Sequence, residues 1–140
     1  MDWPQALRDR GLRATPQRVT ILAELAGRDD HPTAEDLYRA LRDRHPTLAL
    51  STVYSTLETL EAAGLAHRLS LGEGRDRYDA NVRAHAHLVC LGCRRVVDVA
   101  LAPVAPPPEA ERLGYAYAFT SVVHHGLCPA CRRAGPTRPD

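Results

Sequence analysis

The chain has 140 residues, 44% of them hydrophobic and 25% charged. These values suit one domain or two small ones and exclude a large multidomain enzyme, a disordered chain and a fibrous repeat. The formal net charge of +1 by itself neither suggests nor excludes a nucleic-acid partner; all 18 basic residues are arginine, a planar fork for phosphate or guanine that genomic base composition alone can also produce.

No apolar run approaches the roughly 18 residues of a bilayer span, and Met1-Asp2-Trp3-Pro4 lacks the basic-then-apolar layout of a secretory signal. No membrane partner and a cytoplasmic location are therefore expected. Aromatics make up only 5% of the chain, so the core must rest on Leu, Val and Ala, and a small core of that kind often needs a staple.

From Asp2 to Gly64 the sequence reads as short, punctuated helices. Thr15 followed by Pro16 reads as an N-cap with proline at the first helical position; Val19, Leu22 and Ala26 recur at helical spacing and Gly27 ends the segment. Thr33-Ala34-Glu35-Asp36 resembles a capping box, followed by Leu37 and Leu41 up to the His45-Pro46 breaker. Ser51 can cap a third helix that buries Val53, Leu57 and Leu60 and stops at Gly64. Leu65 to Leu71, Gly72-Glu73-Gly74 and Arg75 to Asp79 then predict a hairpin. Three helices followed by a hairpin is the order of a winged helix-turn-helix, in which the third helix enters the major groove.

After about residue 80 the texture changes, which predicts two domains, 1–80 and 81–140. His85 to Cys90 and Arg94 to Val99 read as strands, Pro103 and Pro106-Pro107-Pro108 as a stiff connector, and Pro108 to about Leu113 as a short helix. Tyr115, Tyr117 and Phe119 alternate like a third strand running on to Val123, and the tail from Gly135 reads as disordered.

Cys90-Leu91-Gly92-Cys93 and Cys128-Pro129-Ala130-Cys131 are two C-x-x-C knuckles separated by 34 residues. Four thiolates satisfy tetrahedral zinc in a closed site that stabilises without doing chemistry. The alternatives are disulfides, disfavoured in a reducing cytosol, and a redox dithiol, which needs no duplicate.

On a strand, His85 and His87 share one face while Cys90 lies on the other. If the first knuckle closes an antiparallel hairpin, paired residue numbers sum to roughly 183, setting Asp98 opposite His85. Asp79, six residues upstream of His85, can fold back over the same spot. Nitrogen and oxygen donors without sulfur suit iron(II), manganese(II) or zinc in a second, exchangeable site. The plain alternative is a polar strand face.

On the third helix Thr52, Ser55 and Thr59 lie opposite the apolar stripe, with Tyr54 and Thr56 flanking them, so hydroxyls can reach phosphates or bases and a tyrosine ring can pack on a thymine methyl. Residues 1 to 80 hold eleven arginines against thirteen carboxylates, a poor balance for a phosphate binder, so binding must rely on a local patch of Arg8, Arg10, Arg13 and Arg18. A merely soluble helical surface is the alternative.

Thr15-Pro16-Gln17-Arg18, His31-Pro32-Thr33-Ala34-Glu35-Asp36-Leu37-Tyr38, Ser51-Thr52-Val53-Tyr54, Ala63-Gly64-Leu65, His85-Ala86-His87-Leu88-Val89-Cys90 and Gly126-Leu127-Cys128-Pro129-Ala130-Cys131 together resemble the ferric uptake regulator family in order and spacing. The resemblance covers nearly the whole chain. It implies an α+β protein, a winged-helix DNA-binding domain followed by a small α/β dimerisation domain with a zinc-stapled sheet. It further implies a homodimeric, metal-dependent repressor bound to double-stranded DNA at inverted-repeat operators.

Carried over, Cys90, Cys93, Cys128 and Cys131 look like the structural zinc set, and His31, Asp79, His85, His87 and Asp98 like the regulatory site, with Fe2+ or Mn2+ expected there and Zn2+ the alternative. DNA contacts are implied at Arg13, Thr15, Gln17, Arg18, Ser51, Thr52, Tyr54 and Ser55. Aspartates at 79 and 98 look most like the peroxide-sensing branch, in which iron(II) at the site reacts with peroxide and a ligand histidine, His31 or His85, is oxidised.

The chain also departs from its relatives. Ala84 and Ala86 stand where many carry ligands of an additional metal site, Ser55 stands where arginine is frequent, and His124-His125 replace an apolar-aromatic pair, as strand-end residues or as extra ligands. Competing readings are a pure iron, manganese or zinc uptake sensor of the same family, a small metalloenzyme using His85, His87 and an aspartate, and a zinc-stapled interaction module without DNA binding.

Overall fold

The computed structural model describes residues 1–83, 85–117 and 120–135, and its contacts divide the chain into two compact units, Met1–Val82 and Arg83–Asp140. Ala84, Phe119 and the tail beyond Gly135 lie outside the described residues, and with them the expectations for the additional metal site at 84, for the end of the aromatic alternation and for a disordered terminus.

Four helices, not three, open the first unit. α1 (Trp3–Asp9) was not expected as a separate element, although its signals are in the sequence: Asp2 caps it by accepting from the Gln5 N–H at 2.9 Å, and Pro4 sits in its first turn. α2 (Pro16–Ala26) starts where expected, with Thr15 accepting from the Arg18 N–H. α3 (Ala34–Leu41) carries the full capping box: the Thr33 hydroxyl accepts from the Asp36 N–H at 3.1 Å, and the Asp36 carboxylate accepts from the Thr33 N–H at 3.0 Å.

α4 (Leu50–Ala62) corrects the expected cap. Its N-cap is Ala49, with no side-chain bond, and Ser51 lies inside the first turn. The Thr52 and Val53 N–H groups donate to the Ala49 carbonyl, so the helix begins at Leu50, one residue ahead of the serine, with Leu48 and Val53 buried on either side of the start. Thr56, expected beside the polar face, is buried with Leu57 and Leu60. The Arg10 guanidinium donates to the Ala63 carbonyl at 2.5 Å, satisfying a C-terminal carbonyl of α4 from a residue just past α1.

β1 (His67–Leu69) and β2 (Arg77–Asp79) form the hairpin, antiparallel with His67 opposite Asp79. Gly72 and Gly74 both take positive φ, +73° and +79°, so the turn requires glycine. The strands are shorter than expected, and Glu73 and Arg77 form an ion pair at 3.2 Å across the turn. A bridge from Thr33 to Arg77 and a bond from the Tyr78 N–H to the Pro32 carbonyl tie the hairpin to the start of α3. The core of this unit is aliphatic: Leu7, Ile21, Leu22, Leu25, Leu37, Leu57 and Leu60 are at most 1% exposed.

The second unit is a three-stranded sheet in the order β4-β3-β5, with β3 (His85–Cys90) central, β4 (Val96–Ala100) antiparallel to it and β5 (Val123–Gly126) parallel. α5 (Pro108–Arg112) follows the prolines as expected, and α6 (Pro129–Arg133), which was not expected, carries the second knuckle. The third strand falls later than the aromatic alternation suggests. Tyr115 and Tyr117 are exposed coil, 71% and 45% accessible. The strand that forms is the one immediately before Cys128, because that cysteine must return to Cys90 and Cys93, and this aligns Gly126 with Cys90.

Candidate metal centres

The first knuckle turns through Cys90 to Arg95, with the Cys90 N–H donating to the Arg95 carbonyl at 2.9 Å and Arg94 in the left-handed region at φ +65°. The second wraps the N-terminus of α6. One ligand atom from each of Cys90, Cys93, Cys128 and Cys131 lies within 4.8 Å of the others, and Cys93 Sγ is 3.9 Å from Cys128 Sγ. Thiolates bound about 2.3 Å from one tetrahedral zinc stand about 3.8 Å apart, so the cage fits that ion. All four cysteines are free of disulfides.

The cage is electrostatically prepared on one side and frustrated on the other. N–H donation from Cys128 and Cys93 holds the Cys90 thiol down at about 6, whereas the neighbouring sulfurs of Cys128 and Cys90 push Cys131 up to about 12. Four thiolates this close need a cation to coexist. Gly92 completes the cradle: a Cβ there would lie 2.8 Å from Cys131 Sγ. The sequence reading missed its role, although a glycine between the knuckle cysteines was the available signal.

The residues expected to form the regulatory site include a group in each unit. In the first unit His31 Nε2 lies 3.4 Å from Asp79 Oδ2, with both side chains buried. Asp79 Oδ1 accepts from the Asn81 N–H at 2.8 Å, which orients the carboxylate. His31 holds φ +51°, a left-handed conformation uncommon for a residue with a Cβ and one that clusters at functional sites.

In the second unit His85 Nε2 and His87 Nε2 are 3.1 Å apart, and both face Asp98 Oδ1, at 3.3 and 3.4 Å. The His85 Nδ1–H donates to the Arg83 carbonyl at 2.5 Å, leaving the Nε2 lone pair directed at the cluster. Donors held about 2.1 Å from one ion are separated by about 3.0–3.4 Å, so these spacings suit a nitrogen-and-oxygen cation site. The register differs from expectation: Asp98 pairs with His87, and Ala100 stands opposite His85. The knuckle takes up two more residues than a tight turn, and because His85 and His87 share a face the carboxylate still reaches both. His124 and His125 lie exposed on β5 and join no ligand cluster among the described residues.

Of the expected DNA contacts, Arg13, Thr15, Gln17, Ser51, Tyr54 and Ser55 are exposed and Arg18 and Thr52 are half-buried. Several of their polar groups are already engaged. Arg18 donates to the Arg13 carbonyl at 3.1 Å, the Ser55 hydroxyl to the Thr52 carbonyl at 3.2 Å, and the Tyr54 hydroxyl to the Glu35 carboxylate. The last pairing, between α3 and α4, has no signature in sequence periodicity.

Comparison with known proteins is consistent with this geometry. The model of the ferric uptake regulator family matches residues 9–131. The peroxide-responsive repressor PerR of Staphylococcus epidermidis is 32% identical over 135 residues, 93% of this chain and 88% of that protein. Among solved structures, the ferric uptake regulator of Pseudomonas aeruginosa with manganese is similar at TM-score 0.69 and 29% identity, covering 92% of this chain and 99% of that one. The Campylobacter jejuni peroxide stress regulator is similar at TM-score 0.67 and 27% identity, covering 94% and 100%. The winged helix-turn-helix unit followed by a small α/β unit agrees with these folds, and the relatives are regulators rather than enzymes. With sequence motifs, ligand geometry and fold in agreement, the chain belongs to the ferric uptake regulator family.

Proposed function

We propose that this chain is a metal-gated transcriptional repressor that senses peroxide. Residues 1–80 bind double-stranded DNA, and residues 81–140 bind metal and join two copies in a homodimer that reads an inverted-repeat operator in the cytoplasm. Cys90, Cys93, Cys128 and Cys131 hold a structural zinc. His31 and Asp79 from one unit and His85, His87 and Asp98 from the other close on a single exchangeable iron(II) or manganese(II).

The observation that carries this reading is that each unit brings its own share of the donors already assembled, His31 with Asp79 and His85 with His87 and Asp98, at spacings a metal ion requires. A cation whose affinity is higher when the two groups meet favours that arrangement by the difference in affinity. The chain supplies the coupling: Asp79 ends the wing and His31 precedes α3, so both report on the DNA-binding unit.

Iron(II), when bound, supplies the electrons that reduce peroxide. The imidazoles of His31 and His85 are the side chains expected to be oxidised, and an oxidised ring no longer offers its lone pair. Asp79 and Asp98 provide hard oxygen donors that suit iron(II) and manganese(II) better than a thiolate would.

Titrating iron(II) or manganese(II) into the zinc-loaded protein should raise affinity for an inverted-repeat duplex, and indifference to every divalent ion would overturn the reading. Iron-loaded protein treated with peroxide should gain about one oxygen atom on a peptide containing His31 or His85. A clean mass spectrum would favour a pure metal sensor.

A further inference from the structure

The DNA-facing side of the first unit carries a carboxylate that the functional reading does not use. Glu35, in the first turn of α3, is half-buried and accepts a hydrogen bond from the hydroxyl of Tyr54 on α4, a residue that remains 39% exposed. A carboxylate beside a phosphate-binding surface is unfavourable by charge alone. A tyrosine on the exposed face of a helix is free to rotate unless something holds its hydroxyl.

We propose that Glu35 is a positioning and specificity residue for DNA: its carboxylate fixes the Tyr54 ring against bases while the Tyr54 hydroxyl masks a charge that would otherwise repel the backbone. The inference rests on the reading of α4 as the recognition helix. The hydroxyl's hydrogen bond, and further off the Arg75 cation in the turn of the wing, hold the Glu35 carboxyl below the usual range, so the group is ionised at neutral pH and the masking matters. The two elements that must keep a fixed angle in a helix-turn-helix are thereby linked through a side chain that also touches the partner.

The division of labour has a specific signature. With its single proton directed at Glu35, the Tyr54 hydroxyl is not a donor to a base, and the ring contributes shape, best matched to a thymine methyl. Glu35→Gln keeps an acceptor for the hydroxyl and removes the charge. Tyr54→Phe keeps the ring and leaves the carboxylate without the hydroxyl that masks it.

The test uses the metal-loaded, full-length protein and a duplex that the wild type itself selects from random-sequence DNA. Tyr54→Phe should weaken binding about tenfold, because the carboxylate loses the donor that masks it and the ring loses its hold. Adding Glu35→Gln to it should recover about threefold of that loss, because the charge is gone, but not the thymine discrimination, because the ring stays unheld. Glu35→Ala should lose discrimination between thymine and uracil in the half-site, whereas Glu35→Gln keeps it, at unchanged thermal stability of the helical unit.

If Tyr54→Phe and the double variant bind equally weakly, the hydroxyl contacts DNA directly and the proposal falls. If neither substitution changes affinity or thymine discrimination, it falls as well. Failure of the wild type to select any duplex would instead overturn DNA binding itself, and this inference with it.

Discussion

The two units are stabilised by different physics. The first encloses a contiguous aliphatic cluster running from Leu7 to Tyr78, built by four helices whose apolar stripes face one another. Among the described residues, the second buries few apolar side chains, Ala86, Val89 and Val96 among them, on a sheet of three short strands. A core that small offsets little of the conformational entropy of ordering its chain, and a metal held by the thiolate cage is one source of the difference. One unit is built around a packed core, the other around four clustered sulfur atoms.

Metal removal should expose this difference most sharply. Structural zinc in small domains is worth roughly 10–16 kcal/mol in apparent binding free energy. Stripping it with a strong chelator, or Cys128→Ser, is therefore expected to abolish hydrogen-exchange protection in β3 and β5 while amides of α2 and α4 stay protected. Equal loss in both units would show that they fold as one.

The converse perturbation is Leu57→Ala, at a fully buried position in the helical core. It should cost about 2–5 kcal/mol in the denaturation of the first unit and leave zinc stoichiometry unchanged. Gly92→Ala sharpens the comparison from the other side. The added Cβ would meet Cys131 Sγ at 2.8 Å, and competition with a chromophoric chelator should report zinc affinity lower by on the order of tenfold, with the helical unit untouched.

Smaller effects are local to the first unit. Thr33→Ala removes the capping box at α3 and should lower stability by about 1 kcal/mol. The Arg28 guanidinium, bonded to Asp30 at 2.6 Å, holds that carboxyl below its usual range. Such a group adds stability above its unfolded pKa and loses it as pH falls through the lower folded value. An acid titration of the melting temperature should show this increment, under about 1 kcal/mol for so exposed a pair, disappear in Asp30→Asn.

Much of this was legible in the residues. Helix starts at Thr15 and Thr33 follow from side chains that bond their own backbone, a local matter needing no knowledge of the fold. The cysteine cage was legible because a C-x-x-C turn aims two sulfurs at one point whatever surrounds it. His85 and His87 share a face because strand side chains alternate. Where the reading slipped, the competing cause lay elsewhere in the chain. The α4 hydrogen bonds begin at the Ala49 carbonyl, ahead of Ser51, the knuckle's length shifted the register of Asp98 by two, and the third strand is Val123–Gly126, which leads into Cys128, and not the tyrosine-rich stretch.

The sequence by itself determined the two textures of the chain, the order of its elements, the donor types available to metals and the family they belong to, because these depend on spacing over a few residues. Only the tertiary structure decided which carboxylate oxygen faces which imidazole, that Gly92 must lack a side chain, and that Tyr54 is held by Glu35. Those outcomes depend on distances between segments far apart in the chain, and packing and hydrogen bonding set such distances through all the neighbours at once.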